Sequence, residues 1–172
     1  YALGREITLP RPDWEPYLKK GDTVLDLHIP AGGRMDWAAM EDSLKRAGPF
    51  FARHHGSQPW KALVVSTWFM DPRLAEVLGN DSNPVLLQRA VHLYPTDPDP
   101  YSLWFVFLCS VLQTPPEKLP NETSMQKKLI EFMKGRRTWH GGGFLMMPED
   151  APAPKLDVYR DRFRALAKEL GL

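Results

Sequence analysis

With 172 residues and 43% hydrophobic side chains, the chain has the size of one domain and can bury roughly two-thirds of its unfolded surface. Its 22 basic and 21 acidic residues leave a net charge of +1, which supplies no field to hold a polyanion and argues against nucleic acid as a partner. Cys109 is the single cysteine, so no internal disulfide is available and a reducing, cytoplasmic compartment is expected.

Residues 1–20, with Pro10, Pro12, Pro16 and Trp14, are too broken for a long element and read as an N-terminal arm or linker ahead of a domain at 21–172. Thr23 to Ile29 alternates, with Leu25, Leu27 and Ile29 on one face and Val24, Asp26 and His28 on the other, which predicts a strand ended by Pro30, Gly32 and Gly33. Asp36 is a suitable N-cap for a helix through Trp37, Met40, Leu44 and Ala47, with a break or kink expected at Gly48-Pro49. Ala62 to Phe69 reads as a buried strand. Asp71-Pro72 and Asn83-Pro84 then cap two short helices.

Val91 to Tyr94 and Ser102 to Leu108 read as strands of a hairpin around the proline-rich 95–100 turn. Thr123 with Gln126 fits a capping box ahead of a helix with Met125, Leu129, Phe132 and Met133 on one face. Gly141 to Gly143 lead into a strand at Phe144 to Met147. Leu156, Tyr159, Phe163, Leu166 and Leu170 mark a last amphipathic helix. The class is α/β, a mixed sheet with flanking helices. The longest apolar run, Leu103 to Cys109, is far shorter than the roughly 20 residues that cross a bilayer, so no membrane span is expected. No secretory leader is apparent, and the start at Tyr1 rather than Met is what a piece of a longer protein would show.

Leu27-His28-Ile29-Pro30 followed by Gly32 and Gly33, the run Ser66 to Leu74, the run Asp81 to Arg89, and Thr123-Ser124-Met125-Gln126 together carry a resemblance spanning Gly21 to Met147. The chain resembles the GNAT-like C-terminal domain that follows a helical N-terminal domain in a bacterial acyltransferase family. The resemblance implies a GNAT-like fold, acyl-coenzyme A as donor cosubstrate, an amine as acceptor, and an N-terminal domain as partner; it carries over no catalytic residue. The usual Gln/Arg-x-x-Gly-x-Gly/Ala phosphate loop of GNAT domains, between a strand and a helix, is not found. The nearest string, Thr138 to Gly143, follows a helix and precedes a strand, and reads as a helix end and turn.

His28 is the candidate general base, with Asp26 on the same strand face to orient it; the alternative is a half-exposed pair on a sheet face. Ser66, near a strand end, would bind an acyl carbonyl or donate a proton, or else satisfy a local backbone group. Arg89, beside Gln88, and the pair Arg136 and Arg137 are the candidate contacts to the anionic cofactor, against solvated surface cations or a helix-dipole role. Asp71 and Asn83 read as caps, and Cys109 as an inert thiol. Adjacent His54 and His55 lack metal-ligand spacing, so no metal is expected. The rival to an enzyme is a noncatalytic domain of the same fold that binds a metabolite or docks on a partner domain.

Overall fold

The computed structural model describes residues 8, 10, 12–30, 35–96, 102–135 and 137–171. Strand β1 is Leu25–Asp26, far shorter than the alternation from Thr23 to Ile29 predicts. It pairs in parallel with β2, Leu63–Thr67, with Leu25 against Leu63 and Asp26 against Val64. The 19-residue helix α1, Trp37–His55, makes the crossover between them. Asp36 caps α1 as expected, its carboxylate accepting from Ala39 N. The helix runs through Gly48 and Pro49 instead of breaking there.

After β2 the chain makes a 3₁₀ turn at Trp68–Met70, then α2 at Leu74–Leu78 and α3 at Asn83–Arg89. Strand β3, His92–Tyr94, pairs antiparallel with β4, Gly142–Met146, which also pairs antiparallel with β2. The sheet order is β1-β2-β4-β3. The expected hairpin is therefore a misreading: β3 takes its partner from residues some fifty positions later, and Trp104–Phe107 forms the short helix α4. Leu103 and Phe107 are buried one turn apart, while Trp104 and Phe105 face out, a spacing that suits a helical turn and not a strand.

Helix α5, Ser124–Lys134, begins with the predicted capping box. Thr123 Oγ1 accepts from Gln126 N, and Gln126 Oε1 accepts from Thr123 N. Helix α6, Val158–Glu169, buries Tyr159, whose hydroxyl accepts from Met147 N and donates to Asp150. One sheet face, with Leu63, Val65, Phe144 and Met146, packs on Leu44, Leu74, Leu87 and Leu129 of the helices. The register places Asp26, Val64, Leu145 and His92 in one row of the opposite face, and Ser66, Gly143 and Tyr94 in the next. Asp26, Ser66 and His92 on that second face are exposed. Among the described residues, no helix is long and apolar enough to cross a membrane.

Candidate functional site

The parallel pair is where the sheet opens. Leu25 N donates to Ala62 O and Leu27 N to Val64 O, and the β1–β2 ladder stops there, whereas β2 stays paired with β4 through Thr67. Continued by two residues, the register would bring His28 opposite Ser66; the parting of the strands leaves a notch between them. His28 stands on its rim, 88% exposed, its Nδ1 3.5 Å from Asp26 Oδ2. Asp26 is placed to orient the His28 ring, as a carboxylate does beside a general-base histidine. Behind His28, a cavity of about 230 Å³ runs between the end of β1 and α1.

Ser66 lines a different cavity, of about 100 Å³, with Thr96, Ser102, Phe105, His140 and Gly141. Ser102 Oγ is buried there without a hydrogen-bond partner among the described residues. On the open sheet face the Tyr94 ring lies over Gly143, where an added Cβ would meet Tyr94 Cζ at 2.4 Å. Burial, and then the charge of Asp26, push the Tyr94 hydroxyl above its ordinary pKa. Tyr94 and Asp26 share the open face of the sheet with two strands between them, a relation no local pattern announces.

Each described arginine of the expected cofactor contacts already holds a carboxylate. Arg89 grips Asp157 through Nε and Nη2, the latter at 2.7 Å, at the third cavity, of about 340 Å³, between β3 and α6. Arg137 Nη2 is 2.6 Å from Glu76 Oε2, and its guanidinium lies 4.1 Å over the Phe132 ring. Arg136 lies outside the described residues. His28, Ser66 and Arg89 therefore line three separate cavities, not one crevice.

Asp71 does cap the turn that follows it, accepting from Arg73 N, whereas the reading of Asn83 as a cap is corrected: the N-cap position of α3 is Ser82 and Asn83 lies inside the helix. Asp71 is fully buried and accepts from Arg73 N and Nε, from Arg73 Nη2 and, at 3.0 Å, from His140 N. Burial alone would raise its pKa, but these hydrogen bonds and the guanidinium charge outweigh it and hold the carboxyl below its usual range. Gln88, also buried, donates to Phe69 O and Asp71 O and does not reach toward a substrate. Asn83 reaches across to the start of α1, donating to Met35 O and accepting from Trp37 N. Gly32 and Gly33 fall between β1 and α1 in sequence, the strand-to-helix context that Thr138 to Gly143 lacks; both lie outside the described residues. At the start of α1, Asp36 and Asn83 already occupy the amides of Ala39 and Trp37. Among the described residues, no three or more His, Cys, Asp or Glu cluster to hold a metal ion.

The mixed sheet, its parallel pair crossed by a helix and parting at a notch, defines a GNAT-like α/β domain. Residues 5–145 match the model of the GNAT-like C-terminal domain, and the chain belongs to that family. A solved acyltransferase in complex with decanoyl-CoA is 34% identical over 76% of this chain and 41% of its own, with a TM-score of 0.65. An acyltransferase holding CoA and 10C-teicoplanin is 33% identical over 71% of this chain and 40% of its own, with a TM-score of 0.61. An acyltransferase mutant in complex with octanoyl-CoA shares the same four values. The chain thus spans about two-fifths of the length of these acyltransferases. No curated protein matches it.

Proposed function

We propose that this chain is the donor-binding domain of an N-acyltransferase, carrying an acyl group from acyl-coenzyme A to an amine. The observation that carries the reading is His28, paired with Asp26, on the rim of the notch where β1 leaves β2. In the reaction, the amine nitrogen attacks the thioester carbonyl carbon, the C–N bond forms, the C–S bond breaks, and coenzyme A leaves. His28 Nε2 takes the amine proton and hands it to the departing thiolate, and Ser66, on the β2 side where the strands part, is the proposed donor to the carbonyl oxygen although it lines its own cavity and not that of His28. Arg137, 43% exposed, exchanges Glu76 for a coenzyme phosphate. Arg89 and Arg136 complete the proposed cationic contacts.

The acceptor approaches from the uncovered sheet face, and the related complex with decanoyl-CoA and teicoplanin makes a large acceptor the first to try. An N-terminal domain covers that face in the whole protein, a reading supported by the greater length of the related acyltransferases. Residues 1–20 form the arm leading to the domain at 21–172, held by Tyr17, whose hydroxyl donates to Lys61 O. The setting we propose is the bacterial cytoplasm. A noncatalytic domain binding a metabolite is the second reading, favoured by the carboxylates that already occupy Arg89 and Arg137.

Titration calorimetry with coenzyme A tests the donor half. Micromolar binding weakened by Arg137→Ala supports it, and no binding overturns it. Thiol release from decanoyl-CoA in the presence of teicoplanin tests the base: His28→Ala lowers turnover by about 100-fold or more with donor binding kept, as loss of general-base catalysis should. Full turnover in that variant refutes the role.

A further inference from the structure

Ser102 Oγ is the one buried side-chain polar atom without a hydrogen-bond partner among the described residues. Ser102 is 7% exposed, and the segment that carries it is pinned. Leu103 beside it and Phe107 one turn into α4 are each 2% exposed, and Gln126 Nε2 holds the same turn by donating to Val106 O. Folding therefore strips water from this hydroxyl and gives no bond in return, a cost that calls for a ligand or an ordered water as its explanation.

Ser102 lines the cavity of about 100 Å³ at the end of β2. Gly141, in the same wall, has φ +69°, a conformation that favours glycine, and a Cβ there would lie 3.7 Å from Ser102 Oγ and 3.4 Å from Thr67 O. A side chain at 141 would thus occupy space that glycine leaves open. Ser66, Thr67 and Thr96 add hydroxyls to the lining and His140 an imidazole, while Trp68 and Phe105 supply rings. Among the described residues no carboxylate, ammonium or guanidinium lines it, so a charged occupant would lack a counter-ion. Hydroxyls both donate and accept, and a group that matches several of them does the same.

We infer that this cavity is a subsite for a small neutral group that both donates and accepts hydrogen bonds, a carboxamide or a hydroxyl, with Ser102 as the residue that recognises it. Resting on the transfer reaction proposed above, the group belongs to the acceptor. Ser66 lines the cavity and also lies where β1 has parted from β2, so a molecule anchored at Ser102 extends past Ser66 toward His28. Larger cavities make no such demand. In the one of about 340 Å³, Arg89 and Arg160 already share Asp157. The one of about 430 Å³ ahead of β2, with Phe51, His55 and Trp60 in its lining, holds no buried side-chain polar atom without a partner among the described residues.

Amide-proton NMR of the chain titrated with acetamide, ethanol, acetate and methylammonium tests the inference. Saturable shifts at Ser102, Leu103 and Gly141 are expected with acetamide or ethanol, and the probe that saturates at the lower concentration identifies the group. Acetate and methylammonium should leave these signals in place. Ser102→Ala should weaken the response about threefold or more, the worth of one neutral hydrogen bond. Its Tm should equal or exceed that of the wild type, because the variant loses an unpaired hydroxyl and no bond. Thr96→Val, at a half-buried position of the lining, should weaken the response as well and stands in if Ser102→Ala misfolds. Four results overturn the inference: no saturable shift with either neutral probe, as for a cavity that holds only water; an equal response to the charged probes; a response unchanged by the substitutions; or a Tm lowered by Ser102→Ala, as for a serine with a structural bond. None of these measurements involves coenzyme A, so the donor reading stands or falls separately in its own calorimetry.

Discussion

Asp71→Asn is the substitution with the largest consequence for its size. It removes the charge that meets Arg73 and leaves an amide N–H₂ facing donors, the guanidinium and the backbone N–H of His140. Breaking a buried ion pair by losing one partner costs about 3–5 kcal/mol; Arg73, 27% exposed, recovers some hydration, so the loss here is about 2–3 kcal/mol. At about 2.1 cal/mol/K per residue, unfolding carries roughly 0.36 kcal/mol/K, and a loss near 3 kcal/mol lowers Tm by about 8 °C. Urea denaturation with matched melts is the assay, and Glu41→Gln, which breaks the exposed Lys45 pair on α1, is the control and should cost about 0.5 kcal/mol or less. The folded carboxyl lies below its unfolded value of about 3.9, so its contribution is present above that pH and fades as pH falls through the folded value. The gap between wild type and variant should therefore be flat from pH 7 to about 5 and narrow below about 4. A gap under about 1 kcal/mol at pH 7, or one that persists unchanged in acid, refutes the assignment of Asp71 as a charged buried anchor.

Two further outcomes follow from packing and hydrogen bonding. Gly142→Ala would place a Cβ 2.7 Å from Met70 O, where the neighbour is backbone, and should cost about 1–3 kcal/mol in denaturant melts; Gly48→Ala, with nothing within 4 Å inside α1, should instead gain about 0.5–1 kcal/mol. Tyr159→Phe loses the bonds to Met147 N and Asp150 and should cost about 1–2 kcal/mol. Burial, with the Asp150 bond, raises the Tyr159 pKa, so its contribution is complete below about pH 10 and is lost above it; the wild-type advantage over the variant should shrink in alkaline melts.

Much of the local structure was legible because it depends on neighbours in sequence. The Thr123–Gln126 capping box, the Asp36 cap and the apolar β2 segment each follow from side chains within a few positions of one another. The failures share a cause. Ser102 to Leu108 is apolar enough for a strand, yet nothing in it reveals that β3 would find its partner in β4, so a short apolar run was read with the wrong period. Helix α1 passes Pro49 on an exposed side: the carbonyl left without its partner is that of Lys45, and Lys45 and Pro49 both face solvent, so water can replace the bond.

The candidate site divides in the same way. His28 and Asp26 were found because alternation in one strand puts them on one face, and their proximity is a property of that strand. Ser66 could be placed near a strand end, but not across a notch from His28, because the notch exists only where two distant segments pair and then part. Asp71 and Asn83 looked like caps since each precedes proline. Asp71 does cap its own turn at Arg73 N, but its bond from His140 and those of Asn83 to Met35 and Trp37 span 46 to 69 positions, beyond the reach of any local pattern. The sequence by itself determined the α/β class, the starts of α1 and α5 and the histidine–carboxylate pair, because these follow from short-range geometry and amphipathic period. Only the tertiary structure decided the strand order, the separation of the arginines from His28, and the apolar cavity behind it, because each of these is made by surfaces that meet only when the chain has folded.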